Sequence, residues 1–157
     1  MSNLIFLNDK IIKETEGLLS TLDRGFLYGD GLFETLRAYE KKPFRLEDHV
    51  TRISNSAQYF NIPFRYTSQQ IRQIIEQLLA ANNLQDAYIR MTLSRGLGVN
   101  GLISTGTCTP TFVIHAKPLA AYPASLYKTG VSLITSHIRR STTCPISCHK
   151  TLNFLTN

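Results

Sequence analysis

Asp23-Arg24-Gly25-Phe26-Leu27-Tyr28-Gly29-Asp30-Gly31-Leu32-Phe33-Glu34-Thr35-Leu36-Arg37 changes character halfway along. Glycines at 25, 29 and 31 permit tight backbone turns and make the first half too irregular for a helix. Leu32 to Tyr39 then alternates as a strand that turns at Glu40-Lys41-Lys42-Pro43. On that alternation Phe33, Thr35 and Arg37 share one face, and Glu34 points the other way.

Upstream, Leu4-Ile5-Phe6-Leu7 and Ile11-Ile12, separated by Asn8-Asp9-Lys10, read as a hairpin. Downstream, the period changes at Leu46. Val50, Ile53, Ala57 and Phe60 recur at helical intervals, with Glu47 and Asp48 near the positive end of the helix dipole, and Asn61-Ile62-Pro63 stops the helix. Thr67 and Gln70 form a capping-box pattern that opens a second helix carrying Ile71, Ile74, Ile75, Leu78 and Leu79. Tyr88 to Ser94 and Thr111 to Ala116 read as strands, joined by a glycine-broken turn from Arg95 to Gly101. Pro118 and Pro123 bracket a connection, and Val131 to Ser136 resumes strand character. Strands with two consecutive helices define an α+β fold.

At 157 residues, 43% hydrophobic and 18% charged, the chain is sized for one core and is neither disordered nor membrane-spanning. The apolar run at the start is too short for a signal-peptide core or a membrane span. Cys108, Cys144 and Cys148, an odd number without a secretion signal, read as reduced thiols of a cytoplasmic protein. Cys144 and Cys148 are spaced CxxxC beside His149, but no second ligand pair follows zinc-site spacing, so no metal is expected. The net charge of +6 comes from 17 basic residues scattered along the chain. That scatter, without a reading motif, argues against nucleic acid; the charge fits either a phosphorylated cofactor as anionic partner or simply a modestly basic fragment whose acidic counterpart lies elsewhere.

Three segments could carry chemistry. The glycine-rich segment and its strand bear Tyr28, Phe33, Glu34 and Arg37. The first long helix bears His49 and Arg52, three apart and therefore neighbours; a planar guanidinium there could clamp a phosphate. Lys150 opens Lys150-Thr151-Leu152-Asn153-Phe154-Leu155, and a turn-forming Ser94-Arg95-Gly96-Leu97-Gly98 is grouped with it. That turn lacks the Gly-Lys-Ser/Thr ending of a nucleotide loop, and no GxSxG elbow supports hydrolysis. A reactive lysine needs its neutral form, and an ordinary lysine, with a pKa of about 10.4, is neutral in only about one molecule per thousand near pH 7. Burial or nearby positive charge must supply the difference. A frayed tail supplies little of either, so Lys150 is either an ordinary surface lysine or a reactive one whose special surroundings are missing from these residues.

Together these segments resemble class IV, or fold-type IV, pyridoxal-phosphate enzymes: branched-chain aminotransferases, D-amino acid aminotransferases and aminodeoxychorismate lyases. The resemblance runs in collinear order from Asp23–Arg37 through Asp48-His49-Val50-Thr51-Arg52, Tyr88-Ile89-Arg90, Ser94-Arg95-Gly96 and Lys150–Leu155. It implies that Lys150 condenses with pyridoxal 5'-phosphate and shuttles the Cα proton. It implies that Arg52 holds the cofactor phosphate, and that Tyr28, Phe33, Arg37 and Arg90 form or support the substrate pocket, some serving the partner subunit of a homodimer. The cofactor acts as the electron sink.

The fold implied is the small N-terminal lobe, residues 1–117, a connection at 118–125, and the incomplete start of the larger β-rich lobe at 126–157. Phe154 stands where many relatives have tyrosine. Asn100 stands where D-amino acid aminotransferases and many of the lyases have an arginine. The acidic partner of the pyridine nitrogen and the rest of the phosphate cup fall beyond Lys150 in relatives and have no counterpart here. Within the family, Gly25–Gly29 with Lys42-Pro43-Phe44 and the basic charge resemble 4-amino-4-deoxychorismate lyase, which eliminates pyruvate to leave 4-aminobenzoate for folate synthesis. Tyr88-Ile89-Arg90 and Asn100 suit a branched-chain amino acid aminotransferase. A reading of another class is a catalytically inactive truncated fragment that binds the cofactor weakly or not at all.

Overall fold

The structure, a computed structural model, describes residues 3–98, 101, 108–139, 141 and 143–155. Its framework is a single antiparallel sheet in the order β2-β1-β6-β5-β3-β4. The strands are β1 (Leu4–Leu7), β2 (Lys10–Lys13), β3 (Gly31–Tyr39), β4 (Lys42–Pro43), β5 (Ala87–Leu97) and β6 (Thr109–Pro118). The helices are α1 (Arg24–Tyr28), α2 (Leu46–Tyr59), α3 (Ser68–Ala81) and α4 (Ala124–Thr129). The first strand pairs with the last, Phe6 opposite Ile114, so chain order and sheet order interleave.

Helices α2 and α3 cover one face. Strand alternation supplies that face with Leu32, Leu36 and Ala38 from β3, Ile89, Met91 and Leu93 from β5, and Phe112 and Ile114 from β6. Against it pack Leu46, Val50, Ile53 and Ala57 of α2 and Ile71, Ile75, Leu78 and Leu79 of α3, all buried. These are the positions that helical spacing marks as apolar. The Thr67 capping box is formed, its hydroxyl accepting from the Gln70 amide.

The opposite face carries three rows set by the strand register. Arg37, Tyr88 and Lys117 lie side by side. Next come Thr35, Arg90, His115 and Ile5, then Phe33, Thr92, Val113 and Leu7.

Three local expectations are corrected. The Asp23–Gly31 segment contains a helical turn, α1. Asp23 caps it by accepting from the Gly25 amide, and Gly29, at φ 64°, closes it in the left-handed region by donating to the carbonyls of Arg24 and Gly25. The glycines that suggest irregularity are its terminator and its neighbours.

The turn expected from Arg95 begins later, because β5 runs on to Leu97 across a register irregularity between Ser94 and Leu97. Val131 to Ser136 is not a strand. Leu133 and Ile134 are 87% and 95% exposed and pair with no strand among the described residues, so strand propensity finds no ladder to join.

The fourth difference concerns the segment carrying Lys150, which is docked rather than frayed. β4 pairs only with Ala38 and Tyr39, leaving the N-terminal part of that edge of β3 open. Thr151 bridges Leu32 there, antiparallel. The Phe33 amide donates to the Lys150 carbonyl and the Leu152 amide donates to the Gly31 carbonyl, each at 2.9 Å.

Gly31 makes this approach feasible. A Cβ there would lie 2.5 Å from the Leu93 carbonyl oxygen and 2.6 Å from Leu152 Cδ1. Gly31→Ala is therefore expected to destabilise the fold by about 1–3 kcal/mol and to displace Leu152, read as a lower thermal midpoint and lost protection of the Leu152 amide.

Candidate active site

Consecutive residues of β3 divide the site. Phe33, 6% exposed, faces away from α2 and α3. The Lys150 Nζ lies 4.4 Å from its ring centroid, the Arg90 guanidinium 4.1 Å, and the Phe154 ring meets it edge-on at 5.4 Å. Cations on an aromatic face are each favoured by about 0.5–2 kcal/mol. The ring therefore gathers the candidate amine and a fixed positive charge.

Glu34 faces the helical side and is 1% exposed. Arg52 donates to it twice, Nε at 2.5 Å and a terminal nitrogen at 2.6 Å, and His49 Nδ1 lies 2.8 Å away. The fork–fork pairing fixes the guanidinium plane. Among the described residues the other terminal nitrogen has no partner, and the side chain is about half exposed. Arg52 is thus a held, accessible hydrogen-bond donor for an anion.

Burial alone would raise the Glu34 carboxyl. Hydrogen bonds from Arg52 and His49, with their charges, outweigh it and hold the group below the ordinary glutamate value. Asp30 repeats the arrangement, its burial outweighed by hydrogen bonds from Arg95 and Arg24. A depressed folded pKa contributes stability that is complete above the unfolded value, about 4, and is lost as pH falls through the lower folded value. Acid unfolding is therefore expected to steepen below about pH 4, and Glu34→Gln or Asp30→Asn should flatten that dependence in pH-resolved melts.

The turn around α1 is held from beneath. Buried Asp23 accepts from Ser94 Oγ at 2.9 Å and Thr111 Oγ1 at 2.7 Å as well as from the Gly25 amide. Arg95, through Asp30 and the carbonyls of Phe60 and Asn61, ties this turn to the end of α2.

The structure brings Phe33, Arg90 and Lys150 together, while Arg52 lies with Glu34 on the other side of β3. Lys150 lines a cavity of ≈ 490 Å³ with Cys144, Cys148, Asn153 and Phe154. Tyr28, under the Arg24 guanidinium, lines a second of ≈ 190 Å³ with Asp30, Gly31, Thr151 and Asn153. The two cavities share Ile146, Thr151 and Asn153. Arg37 stands apart, four residues or about 13 Å along β3 from Phe33. It donates to the Tyr39 hydroxyl and lines a third cavity with Tyr88, Lys117 and Tyr122. Asn100 lies outside the described residues.

Sequence reasoning named Glu34 and its face but not its partners, although a lone carboxylate on the apolar side of an alternating strand demands one. It missed a second participant. His149, noted only beside the cysteines, contacts Ser56, Tyr59 and Phe60. Nothing local signals a contact across 93 residues of sequence.

The site thus combines a docked lysine and an accessible arginine clamped by a buried carboxylate, on an antiparallel sheet covered by α2 and α3. Residues 31–157 match the family described as Amino-transferase class IV, and the chain belongs to that family. It is 38% identical over 136 residues to a putative branched-chain-amino-acid aminotransferase of Methanocaldococcus jannaschii, covering 87% of this chain and 46% of the relative. To the aminodeoxychorismate lyase of Bacillus subtilis it is 32% identical, covering 88% of this chain and 47% of the relative. The chain thus spans about half the length of these relatives.

Among solved structures, the 4-amino-4-deoxychorismate lyase of Pseudomonas aeruginosa superposes with a TM-score of 0.79 at 28% identity, covering 98% of this chain and 54% of the other. A T.th. branched-chain amino acid aminotransferase gives a TM-score of 0.70 at 28% identity, covering 78% and 41%. That neighbour was solved with pyridoxamine 5'-phosphate. The fold is the fold-type IV small lobe. No helix among the described residues is long and apolar enough to cross a membrane.

Proposed function

We propose that the protein is a pyridoxal-phosphate enzyme acting on an amino-bearing acid, with Lys150 as the catalytic amine. The observation that carries this reading is the docking of Lys150 on β3, its amine on the Phe33 ring beside Arg90. The donor set fits the cofactor. Lys150 supplies an amine for its aldehyde, and Arg52 supplies N–H groups for its phosphate while Glu34 and His49 hold the guanidinium.

When bound, the cofactor supplies an electron sink next to the substrate α-carbon. The remaining work falls to the chain. Lys150 Nζ carries the α-proton, Phe33 excludes water from one side, and Arg90 offers a charged fork to a substrate carboxylate. Tyr28 borders the site across Thr151 and Asn153. Arg37 guides the acidic substrate from the outer row with Lys117.

Within the family the reading is 4-amino-4-deoxychorismate lyase, supported by the Bacillus relative and by the cationic rows of the face opposite α2 and α3, which suit a substrate with two carboxylates. A branched-chain amino acid aminotransferase is the second reading, favoured by the identity to the archaeal relative. The exposed Leu133 and Ile134 favour a third, a chain without activity by itself. On any of these readings residues 1–117 form one lobe, 118–125 a connection and 126–157 the start of another.

The protein is further read as cytoplasmic, and as a homodimer because Leu18, Leu19, Leu22 and Phe26 leave apolar side chains exposed before and within α1. Assays with aminodeoxychorismate, read as 4-aminobenzoate and pyruvate, and with leucine plus 2-oxoglutarate, read as glutamate, decide the reaction. Turnover of the first substrate alone supports the lyase, of the second alone the transaminase, and of neither the inactive chain.

A further inference from the structure

Helix α2 presents His49, Arg52, Ser56 and Tyr59 at spacings of three and four, which places them on one stripe. The first half of that stripe is taken by Glu34. The second half receives His149. Its Nδ1 lies 2.9 Å from the Oγ of buried Ser56. Its ring stacks on Tyr59 at 4.7 Å with an interplanar angle of 29°, and it meets Phe60 edge-on at 4.8 Å. This receptacle is itself fixed, because Arg95 donates to the Phe60 and Asn61 carbonyls, each at 3.0 Å, while its Nε holds Asp30.

Lys150 follows directly. Its segment is joined to β3 by two hydrogen bonds; a single short 3-10 turn, Pro145–Cys148, leads into it, and farther upstream Val131 to Arg139 is exposed and without regular structure. So short a pairing specifies its register weakly. A slip of one residue would turn every side chain to the other side and carry the Lys150 amine off the Phe33 ring.

We propose that His149 is a positioning residue, a ring seated between Ser56, Tyr59 and Phe60 that sets the register of the Lys150 segment on β3. One helix thereby places both candidate cofactor contacts, Arg52 on its own side chain and Lys150 through His149. The catalytic importance of this clamp rests on the reading of Lys150 above; the clamp itself does not.

The test uses the 157-residue chain without cofactor and follows amide exchange at Phe33 and Leu152, the two donors of the pairing, with Ile75 and Ile89 as core references. His149→Ala is expected to speed exchange at Phe33 and Leu152 by about 10–100-fold. His149→Phe, which keeps the stack, and Ser56→Ala, which removes the partner, should each speed it by about 3–10-fold. The core amides should not change. Unchanged rates at Phe33 and Leu152, or an equal rise at the core amides, would overturn the proposal.

A second readout is the fraction of borohydride-fixed pyridoxal-phosphate adduct at Lys150 relative to the other lysines. It should fall several-fold in His149→Ala and partly recover in His149→Phe. Faster exchange with an undiminished Lys150 share would also overturn the proposal, because the segment would then be loosened without consequence for the amine. If the wild-type chain carries no adduct at Lys150, the reading of that lysine fails, and the exchange rates alone decide the clamp.

Discussion

Lys150→Ala is expected to lower turnover by at least ~10³-fold, the scale of losing a positioned proton carrier and covalent amine together. The fold should survive. The pairing with β3 uses the backbone of residue 150, and the side chain contributes one contact with an aromatic face, about 0.5–1 kcal/mol. A thermal midpoint within a few degrees of wild type is therefore expected alongside the lost activity. Lys150→Arg sharpens the prediction: it keeps the cation on Phe33 but cannot condense with an aldehyde, so it should be as inactive as the alanine variant. If Lys150→Arg retained turnover, the lysine would be acting only as a charge, contrary to its assigned role.

The second large effect is expected at Arg52. Arg52→Ala removes a charge-assisted phosphate contact of about 1.5–3 kcal/mol, so cofactor affinity should fall about 10–100-fold. It also strips buried Glu34 of its bidentate partner, leaving the carboxylate with His49. Stability should drop by about 1–3 kcal/mol, since stranding a buried charge costs more than the pair itself contributes.

Combining Arg52→Ala with Glu34→Gln separates the two consequences. The double variant no longer strands a charge and should regain much of the stability, while its cofactor affinity stays low. Spectroscopic titration with pyridoxal phosphate and thermal melts on the same samples measure both. Recovery of affinity together with stability would show that Arg52 acts through folding alone.

The architecture was legible where periodicity is strong. Val50, Ile53 and Ala57 announced α2, and Ile71, Ile75 and Leu78 announced α3, because tertiary packing uses the face that helical spacing provides. Alternation placed Phe33 and Glu34 on opposite sides of β3, and this division organises the candidate site. What escaped depends on groups distant in sequence. α1 forms because Asp23 caps it and Gly29 closes it, while Ser94 and Thr111 from two distant strands satisfy the same Asp23 carboxylate. Val131–Ser136 has strand propensity without a ladder.

The docking of Lys150 was the least predictable feature. It uses an unpaired stretch of β3 beside Gly31. The glycine is plain in the sequence, but the close approach it permits is visible only once the sheet order is known.

The most direct measurement is to mix the 157-residue chain with pyridoxal phosphate, reduce with borohydride and map the modified residue by mass spectrometry. A catalytic amine seated on β3 predicts one dominant adduct, on Lys150, that a phosphate competitor suppresses and Arg52→Ala weakens. No adduct at Lys150, or modification spread evenly over exposed lysines such as Lys10 and Lys41, would contradict it.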